Sequence, residues 1–233
     1  MQKSKRTALI YEYIKEHKDV QIADIAKYAE TSQSTVRRDI KELVLKGLVI
    51  ELYGSVILNE KNDSDIQIKQ RATMQSLEKK QIGIQAAKLI KDNSLVFIDA
   101  GTTTKEMIPH IHASGCTYVT NGIEIALELI KLGFDVHIVG GRVKPITEAI
   151  VGEFALEFIK LLHFDVAFIG TNGVSELGYS TPDVKEGILK RQVIQNSRKS
   201  YILGDKSKKD KTTAFIFAQL DQATWIHEGR SES

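Results

Sequence analysis

The chain has 233 residues, of which 42% are hydrophobic and 27% charged, a composition typical of a globular protein with one large or two smaller domains. The formal net charge of +2 excludes recognition of nucleic acid by bulk charge, so any such binding needs a local basic patch. A single cysteine, Cys116, excludes an internal disulfide and a cysteine cluster for metal. No apolar run approaches the roughly 18 residues that span a bilayer, and no signal-peptide core follows the N-terminus, so we expect a cytoplasmic location and no membrane partner.

The first part of the chain predicts a small helical module that ends in a β-hairpin. Apolar residues recur there at helical spacing, and two short β-prone runs follow around a glycine turn. The predicted elements are helices at Ser4–His17, at Gln21–Glu30 and from Ser34 to Gly47, and strands at Leu48–Leu52 and Val56–Leu58. Two short helices joined by a tight turn and followed by a hairpin wing predict a winged helix-turn-helix.

The third predicted helix carries the candidate contacts to DNA. Val36, Ile40 and Leu43 make one face apolar, and the opposite face is basic and hydroxylated. Hydroxyl groups reach phosphates, and arginine side chains fit guanine edges or phosphates in a major groove. The residues with this chemistry are Ser32, Ser34, Thr35, Arg37, Arg38 and Lys41. A helical hairpin with a solvated arginine pair is the alternative that these residues alone leave open.

A change of pattern near residue 77 predicts a second domain. Residues 59–76 are polar and mixed in charge, which predicts a linker between a domain at 1–58 and a domain at 77–233. Apolar strands alternating with helices predict an α/β fold with a mainly parallel sheet. The predicted helices are Glu78–Lys91, Thr102–Ile111, Ile123–Leu132, Glu148–Leu162 and Val184–Ser197, and the predicted strands are Ser94–Asp99, Thr117–Thr120, Asp135–Val139, Asp165–Ile169, Tyr201–Leu203, Thr213–Phe217 and Ala223–Ile226.

Unusual loops follow several of these strands, at the edge of a parallel sheet where ligands collect. A glycine followed by three threonines, Gly101–Thr104, suits a phosphate, although a glycine turn with threonine caps would have the same sequence. Asn121 suits either a helix cap or a sugar hydroxyl, and Arg142 after Gly140 and Gly141 is either a fixed cation or a surface charge. The last loop is Gly204–Lys208, in which Asp205 can accept hydrogen bonds from hydroxyls and Lys208 can neutralise a phosphate, unless both are solvated surface charges.

The helix-turn-helix sequence resembles a known DNA-binding signature. The run Ser32-x-x-Thr35-Val36-Arg37-Arg38-Asp39-Ile40, with Arg6, Ile10 and Ile14 upstream of it, is similar to that of the DeoR family of bacterial transcription regulators. At the wing, where family members usually carry a basic residue and His-Gly-Gly, this chain has Glu51-Leu52-Tyr53-Gly54-Ser55. Because Glu51 repels phosphate, we expect Arg37 and Arg38 to provide more of the affinity for DNA.

The loops of the second domain also resemble this family, whose effector domain shows D-x-G-T-T, T-N, G-G and D-x-S-K in this order. The resemblance covers residues 3–228 and implies a fold similar to ribose-phosphate isomerase with a phosphorylated sugar as effector. It implies that Gly101–Thr104 hold the phosphate, while Asn121, Asp205 and Lys208 bind the sugar. The effector-site residues so predicted are Asp99, Gly101, Thr102, Thr103, Thr104, Thr120, Asn121, Gly140, Gly141, Arg142, Lys190, Asp205 and Lys208.

The predicted function is a repressor of a sugar-utilisation operon that a sugar phosphate relieves. It is expected to bind double-stranded operator DNA as a homodimer or homotetramer, without metal or cofactor. The segment Phe168–Lys190 most resembles the fructose-operon repressors, which implies fructose 1-phosphate, whereas Ile146-Thr147-Glu148-Ala149 resembles the lactose and tagatose-phosphate branch, which implies tagatose 6-phosphate.

An enzyme is the alternative of a different class. A sugar-phosphate isomerase or deaminase would use acid and base groups from Asp99, Asp183, Glu186 and Lys190. Such an enzyme would leave the helix-turn-helix at the N-terminus without a purpose. Turnover of a sugar phosphate by residues 77–233 alone would favour it.

Overall fold

The computed structural model describes residues 3–17, 19–45, 48–52, 54–58, 76–145 and 147–232. The chain divides into two compact units, Met1–Ile66 and Gln67–Ser233. The predicted linker, 59–76, lies outside the described residues except for Ser76, which opens a helix. The predicted domain boundaries therefore stay a prediction.

The first unit combines helices with a small antiparallel sheet. Its elements are α1 (Lys3–His17), β1 (Asp19–Gln21), α2 (Ile22–Tyr28), α3 (Gln33–Leu45), β2 (Val49–Leu52) and β3 (Ser55–Leu58). The strands pair in the order β1-β3-β2, so the predicted hairpin of β2 and β3 gains a third strand. Val20 is the only buried residue of β1, and such a short strand leaves no alternation in the sequence. The winged helix-turn-helix architecture is confirmed.

One apolar cluster holds this unit together. Ile10 and Ile14 of α1, Ile25 of α2, and Val36 and Ile40 of α3 are all fully buried in it. These residues come from the apolar stripes at three- and four-residue spacing that predicted the helices. Their burial fixes the outward direction of the polar face of α3.

The second unit contains helices, a large sheet and a smaller one. Its helices are α4 (Ser76–Ala87), α5 (Thr102–Lys105), α6 (Ile123–Lys131), α7 (Glu153–Lys160) and α8 (Val184–Gln195), with 3₁₀ turns at Ile108–His110, Lys206–Lys208 and Leu220–Gln222. Its strands are β4 (Leu95–Ile98), β5 (Thr117–Thr120), β6 (Asp135–Ile138), β7 (Arg142–Val143), β8 (Ile150–Val151), β9 (Val166–Gly170), β10 (Gly173–Ser175), β11 (Gly178–Thr181), β12 (Ser200–Leu203), β13 (Phe215–Ala218), β14 (Thr224–His227) and β15 (Arg230–Glu232). Within the described ranges, every helix is too short or too polar to cross a bilayer.

The large sheet has the strand order β15-β14-β12-β9-β4-β5-β6. All neighbours are parallel except β14 and β15, which are antiparallel. Successive side chains of a strand face opposite sides, so Val96 and Ile98 join one core while Phe97 joins the other. Helices α4 and α6 cover the first side, and α7 and α8 cover the second. The predicted α/β fold with a mainly parallel sheet is confirmed.

Some predicted elements are wrong. The predicted helix Glu148–Leu162 begins only at Glu153, because Ile150 and Val151 pair with β7 as β8. Glu148 and Gly152 have φ angles of 52° and 109°, outside the helical region, so the helix cannot start earlier. The predicted helix Thr102–Ile111 is split into α5 and a 3₁₀ turn at Pro109, and β13 lies in a separate sheet with β10 and β11.

Gly83 of α4 is required by close packing, and its replacement by alanine is expected to destabilise the protein. An added Cβ would lie 2.5 Å from the backbone carbonyl carbon and oxygen of Glu106 and 2.7 Å from the backbone nitrogen of Met107. Helix propensity alone favours alanine by about 1 kcal/mol, but overpacking against rigid backbone costs about 1–3 kcal/mol. Gly83→Ala is therefore expected to lower the free energy of unfolding in urea, whereas Lys80→Ala on the exposed face of α4 leaves it nearly unchanged. A Gly83→Ala protein more stable than the wild type would contradict the close approach.

Candidate functional site

The N-terminus of α3 carries a cluster of hydroxyl groups. The Ser32 hydroxyl lies 2.9 Å from those of Ser34 and Thr35, and the Thr35 backbone N–H donates to Ser32 Oγ over 3.3 Å. Ser32 thus caps the helix and satisfies one of its free N–H groups. Ser32 and Ser34 are exposed and Thr35 is half-buried, so the cluster faces solvent.

Arg37, Arg38 and Lys41 are exposed on α3. Arg37 Nη1 donates to Glu51 Oε1 over 3.0 Å, so the unusual carboxylate of the wing is paired with the first arginine of the helix. This contact joins α3 to β2. Glu51 therefore partly neutralises Arg37 and also restricts the directions in which its guanidinium points.

An ion pair between a half-buried arginine and a buried aspartate joins α1 and α3. Arg6 Nε donates to Asp39 Oδ2 over 2.7 Å, and Arg6 Nη2 donates to Asp39 Oδ1 over 3.3 Å. Asp39 is fully buried, although the two residues before it in the chain, Arg37 and Arg38, are exposed. The sequence signature includes both residues, but sequence reasoning gave them no role. Their two hydrogen bonds fix the orientation of the helix that bears the basic face.

The topology of the large sheet singles out one point on its carboxyl edge. From β4 the chain continues outward to β5 and β6, and then returns to the other side of β4 to form β9, β12 and β14. The order of strands therefore reverses between β4 and β9. In open α/β sheets, ligands bind beyond the carboxyl ends of the strands at such a switch point.

A buried ion pair crosses this switch point. Asp99 follows β4, and its Oδ2 accepts hydrogen bonds from Lys190 Nζ of α8 and from the backbone N–H of Gly170, the latter over 3.0 Å. Lys190 also donates to the carbonyl of Gly170 over 3.0 Å and lies 5.8 Å from the ring centre of Phe217. The side chains of Lys190 and Asp99 are only 5% and 2% exposed. Burial raises the pKa of Asp99, and the opposing charge of Lys190 offsets part of that rise.

A second charged cluster lies one helical turn away on α8. Lys144 Nζ lies 2.7 Å from Glu186 Oε1 and 3.1 Å from Asp183 Oδ2, and Thr147 Oγ1 donates to Glu186 over 2.9 Å. Asp183 caps α8 by accepting a hydrogen bond from the Glu186 N–H over 2.9 Å. Burial opposes ionisation of Asp183, but the hydrogen bonds from the α8 backbone and from Lys144 outweigh it and lower its pKa. Sequence reasoning missed the roles of Lys144 and Thr147, which lie in a loop without a chemical pattern.

Several predicted ligands of the first loop take part in building it. Thr104 Oγ1 donates to the carbonyls of Asp99 and Gly101 over 2.7 and 2.9 Å, and Thr104 is fully buried. The backbone N–H of Ala100 donates to Asn121 Oδ1 over 2.8 Å. The Gly122 N–H donates to Thr120 Oγ1 over 3.0 Å. Of the other two threonines, Thr102 is buried and Thr103 is half-buried.

The remaining predicted residues follow β12 and β6, which lie on either side of β9 and β4 in the strand order. Asp205 follows β12, is fully buried and accepts the Ser207 N–H over 3.0 Å, and Lys208 is half-buried on the next 3₁₀ turn. Arg142 is exposed on β7, after the edge strand β6. Gly141, at φ 150°, leaves no room for a Cβ, which would lie 2.8 Å from the Val151 carbonyl. The strand before Arg142, β6, is two strand spacings, about 10 Å, from β4.

The DeoR C terminal sensor domain family matches residues 74–228, and the DeoR-like helix-turn-helix domain family matches residues 6–62. The chain belongs to the DeoR family. An "Uncharacterized HTH-type transcriptional regulator FruR" of Bacillus subtilis (strain 168) is 33% identical over 95% of this chain and 89% of that protein. The "HTH-type transcriptional repressor GlcR" of the same organism is 30% identical over 95% and 86% of the two chains. The "Lactose phosphotransferase system repressor" of Staphylococcus aureus (strain N315) is 30% identical over 97% and 92%.

Membership of the DeoR family makes the chain a DNA-binding transcription regulator and confirms that prediction over the enzyme alternative.

Solved structures resemble it in fold alone. The eIF2B delta subunit of Chaetomium thermophilum has a TM-score of 0.50 at 13% identity over 88% of this chain and 68% of that one. A ribose 5-phosphate isomerase from Plasmodium falciparum has a TM-score of 0.43 at 18% identity over 60% of this chain and 54%, about half, of its own.

Proposed function

We propose that this DeoR-family regulator is a repressor of a sugar-utilisation operon that binds its operator through α3 and releases it when a phosphorylated sugar binds at the switch point. Fructose 1-phosphate is the best candidate for the effector. For release, the sugar phosphate must bind the form that cannot hold DNA more tightly than the form that can, since equal affinity shifts no equilibrium. A DNA-binding repressor acts where the DNA is, so we place it in the cytoplasm.

The observation that supports this proposal most is the position of the polar groups at the carboxyl ends of β4 and β9 and on α8. Asp99, Gly170 and Lys190 meet where the strand order reverses. Carboxylate, amide and backbone groups at this place suit the hydroxyls of a sugar. We extend the proposed site to the other predicted effector residues on the neighbouring strand-end loops.

The phosphate is expected at a strand-end loop beside the pair of Asp99 and Lys190. A phosphate group carries a charge of about −1.5 to −2 and suits a lysine or the free backbone N–H groups at a helix start. Gly101–Thr104, which the family resemblance gives as the phosphate loop, is one candidate. Lys208, half-buried on the turn after β12, is the other candidate, together with the backbone of its 3₁₀ turn.

The choice among sugar phosphates rests on relatives. The 33% identical relative bears the name FruR, and the segment Phe168–Lys190, which forms β9 to α8, carries the resemblance to fructose-operon repressors. The lactose phosphotransferase repressor is 30% identical, which makes tagatose 6-phosphate the alternative. Thr147, part of the segment that resembles this branch, contacts Glu186 beside the switch point.

Isothermal titration of the full-length protein tests the site without DNA. Fructose 1-phosphate, tagatose 6-phosphate, free fructose and inorganic phosphate are each titrated at one fixed salt concentration. The proposal predicts that fructose 1-phosphate binds and that neither fructose nor phosphate alone matches it, because both parts of the site contribute. Preferential binding of tagatose 6-phosphate would replace the effector, and no binding of any sugar phosphate would contradict the proposal.

Lys208→Ala is expected to weaken the effector response and leave DNA binding intact. A hydrogen bond to a charged group contributes about 1.5–3 kcal/mol, so the effector concentration for half-release of DNA should rise about tenfold or more. Release is measured by fluorescence anisotropy of labelled operator DNA. Lys211→Ala, which removes an exposed lysine nearby in the sequence, is the matched control and should respond as the wild type does. A Lys208→Ala protein with an unchanged response would remove Lys208 from the site.

A further inference from the structure

Helix α7 presents an apolar stripe to solvent. Phe154 of this helix and Leu161, the residue that caps its C-terminus, are 82% and 81% exposed, and Phe158 between them is half-buried. Residues at i, i+4 and i+7 lie on one face of a helix, and the opposite face of α7 is buried through Ala155 and Ile159. Large side chains this exposed, side by side, are typical of a surface that another protein covers.

A groove beside the stripe extends the apolar surface onto α8. It has a volume of about 440 Å³ and lies between the β7–β8 hairpin, α7 and α8. Its apolar lining includes Val151, Phe154, Leu156, Ile188 and Leu189. Arg142, Glu153 and Lys185 also line it and are exposed, so both signs of charge border the apolar surface.

We propose that this face, the α7 stripe with its groove, is the interface with a second copy of the chain, with the two α7 helices packed antiparallel about a two-fold axis. The axis passes between Glu157 and Phe158, which sets Phe154 of each copy against Leu161 of the other. The surface fits such an isologous contact, because each copy supplies both members of the contact between Phe154 and Leu161, and the groove continues the apolar surface on the same face. Cations and anions on one border likewise pair with their symmetry mates.

The size of the face is consistent with a dimer only if α8 takes part. An eight-residue helix is about 12 Å long, whereas a stable interface buries about 800 Å² on each partner. Val184 and Ile188 of α8, which are exposed, continue the apolar surface and supply further area. The choice of a second copy as occupant rests on the proposed repressor, since one recognition helix reads only a half-site and a pair reads both.

Sedimentation velocity of the full-length protein without DNA tests the interface. The wild type is expected to sediment as a dimer or a dimer of dimers, and Phe154→Glu with Leu161→Glu is expected to halve its mass. Leu127→Glu changes a 52% exposed leucine of α6 and is the matched control, expected to keep the wild-type mass. Circular dichroism checks that each variant is folded. A monomeric wild type at concentrations that bind DNA, or a double variant of wild-type mass, would overturn the interface.

Cross-linking tests the antiparallel geometry without disturbing the apolar stripe. In a Cys116→Ser background, Glu157→Cys places one thiol of each copy next to the axis, so mild oxidation is expected to give a covalent dimer within minutes to hours. Leu127→Cys is the control and should stay monomeric on a denaturing gel. An equal yield for the two variants would overturn the arrangement. Because neither experiment uses DNA or sugar phosphate, failure of the proposed function leaves these results unaffected.

Discussion

Replacing Lys190 by methionine is expected to lower the free energy of unfolding by about 3–5 kcal/mol, because the change leaves the Asp99 carboxylate buried without its cation. Methionine keeps most of the volume of the lysine stem, so the loss reports charge and not a cavity. Urea denaturation at pH 7 measures the effect. Asp99→Asn combined with Lys190→Met removes both charges and should recover a large part of the loss. A Lys190→Met protein as stable as the wild type would contradict the buried pair.

Lys190→Met is also expected to change how the free energy of unfolding depends on pH. Because burial raises the pKa of Asp99 above that of the unfolded chain, the folded state holds a proton over a range in which the unfolded state has lost it. Stability from this group is present below the unfolded value, about 3.9, and is lost as pH rises through the folded pKa. Without Lys190 that pKa rises further, so Lys190→Met should lose stability over a wider pH range than the wild type. A stability difference between the wild type and Lys190→Met that shrinks as pH rises in this range would contradict the assignment.

Arg37→Ala is expected to weaken binding to the specific operator by about 1–3 kcal/mol, about 5- to 150-fold, if Arg37 reads a base. Anisotropy with a duplex selected by the wild type from a random pool, and with an unrelated duplex, measures the specific and non-specific affinities at one salt concentration. A base-reading arginine lowers the first affinity more than the second. Equal losses would assign Arg37 to the phosphate backbone, and unchanged affinity would remove it from the interface.

Glu51 is expected to orient Arg37 for binding to DNA, because it is the partner of Arg37 in the protein without DNA. Glu51→Ala removes a negative charge near the phosphates and should raise non-specific affinity. We expect the ratio of specific to non-specific affinity to fall nevertheless, since Arg37 loses the contact that directs it. In an Arg37→Ala background this fall should disappear, which a double-mutant cycle detects. If the ratio of specific to non-specific affinity is unchanged in both backgrounds, Glu51 acts only by repelling the phosphates and does not direct Arg37.

Elements whose pattern is set by burial were predictable from the sequence. The apolar stripe of Val36, Ile40 and Leu43 led to α3, and the β-prone run Leu95–Ile98 led to the first parallel strand. Failures came where backbone geometry outweighs composition. Glu148 is a residue type that favours helices, yet it has a positive φ here. Ile150 pairs with Val143, so this segment forms a hairpin and not a helix. The strand β1 exists only because β3 pairs with it, which no local pattern reveals.

The candidate site was predictable in its strand-end loops and not in its assembly. Asp99 and Asn121 follow strands, which the sequence shows, but their neighbours depend on the strand order. The hydrogen bond from the Gly170 N–H to Asp99 exists because β9 inserts beside β4 from seventy residues away. The role of Lys144 could not be predicted for the same reason, since its partners Asp183 and Glu186 lie at the start of a helix that is distant in sequence. Long-range pairing of charges leaves no periodic signal.

Control of DNA binding by a sugar phosphate is tested by a single titration. A labelled fragment from upstream of this gene's own operon is titrated with the protein at fixed salt, with and without fructose 1-phosphate, and followed by fluorescence anisotropy. We expect tight specific binding that fructose 1-phosphate reverses at concentrations at which free fructose has no effect. Specific binding that neither fructose 1-phosphate, tagatose 6-phosphate nor any other sugar phosphate changes would contradict it.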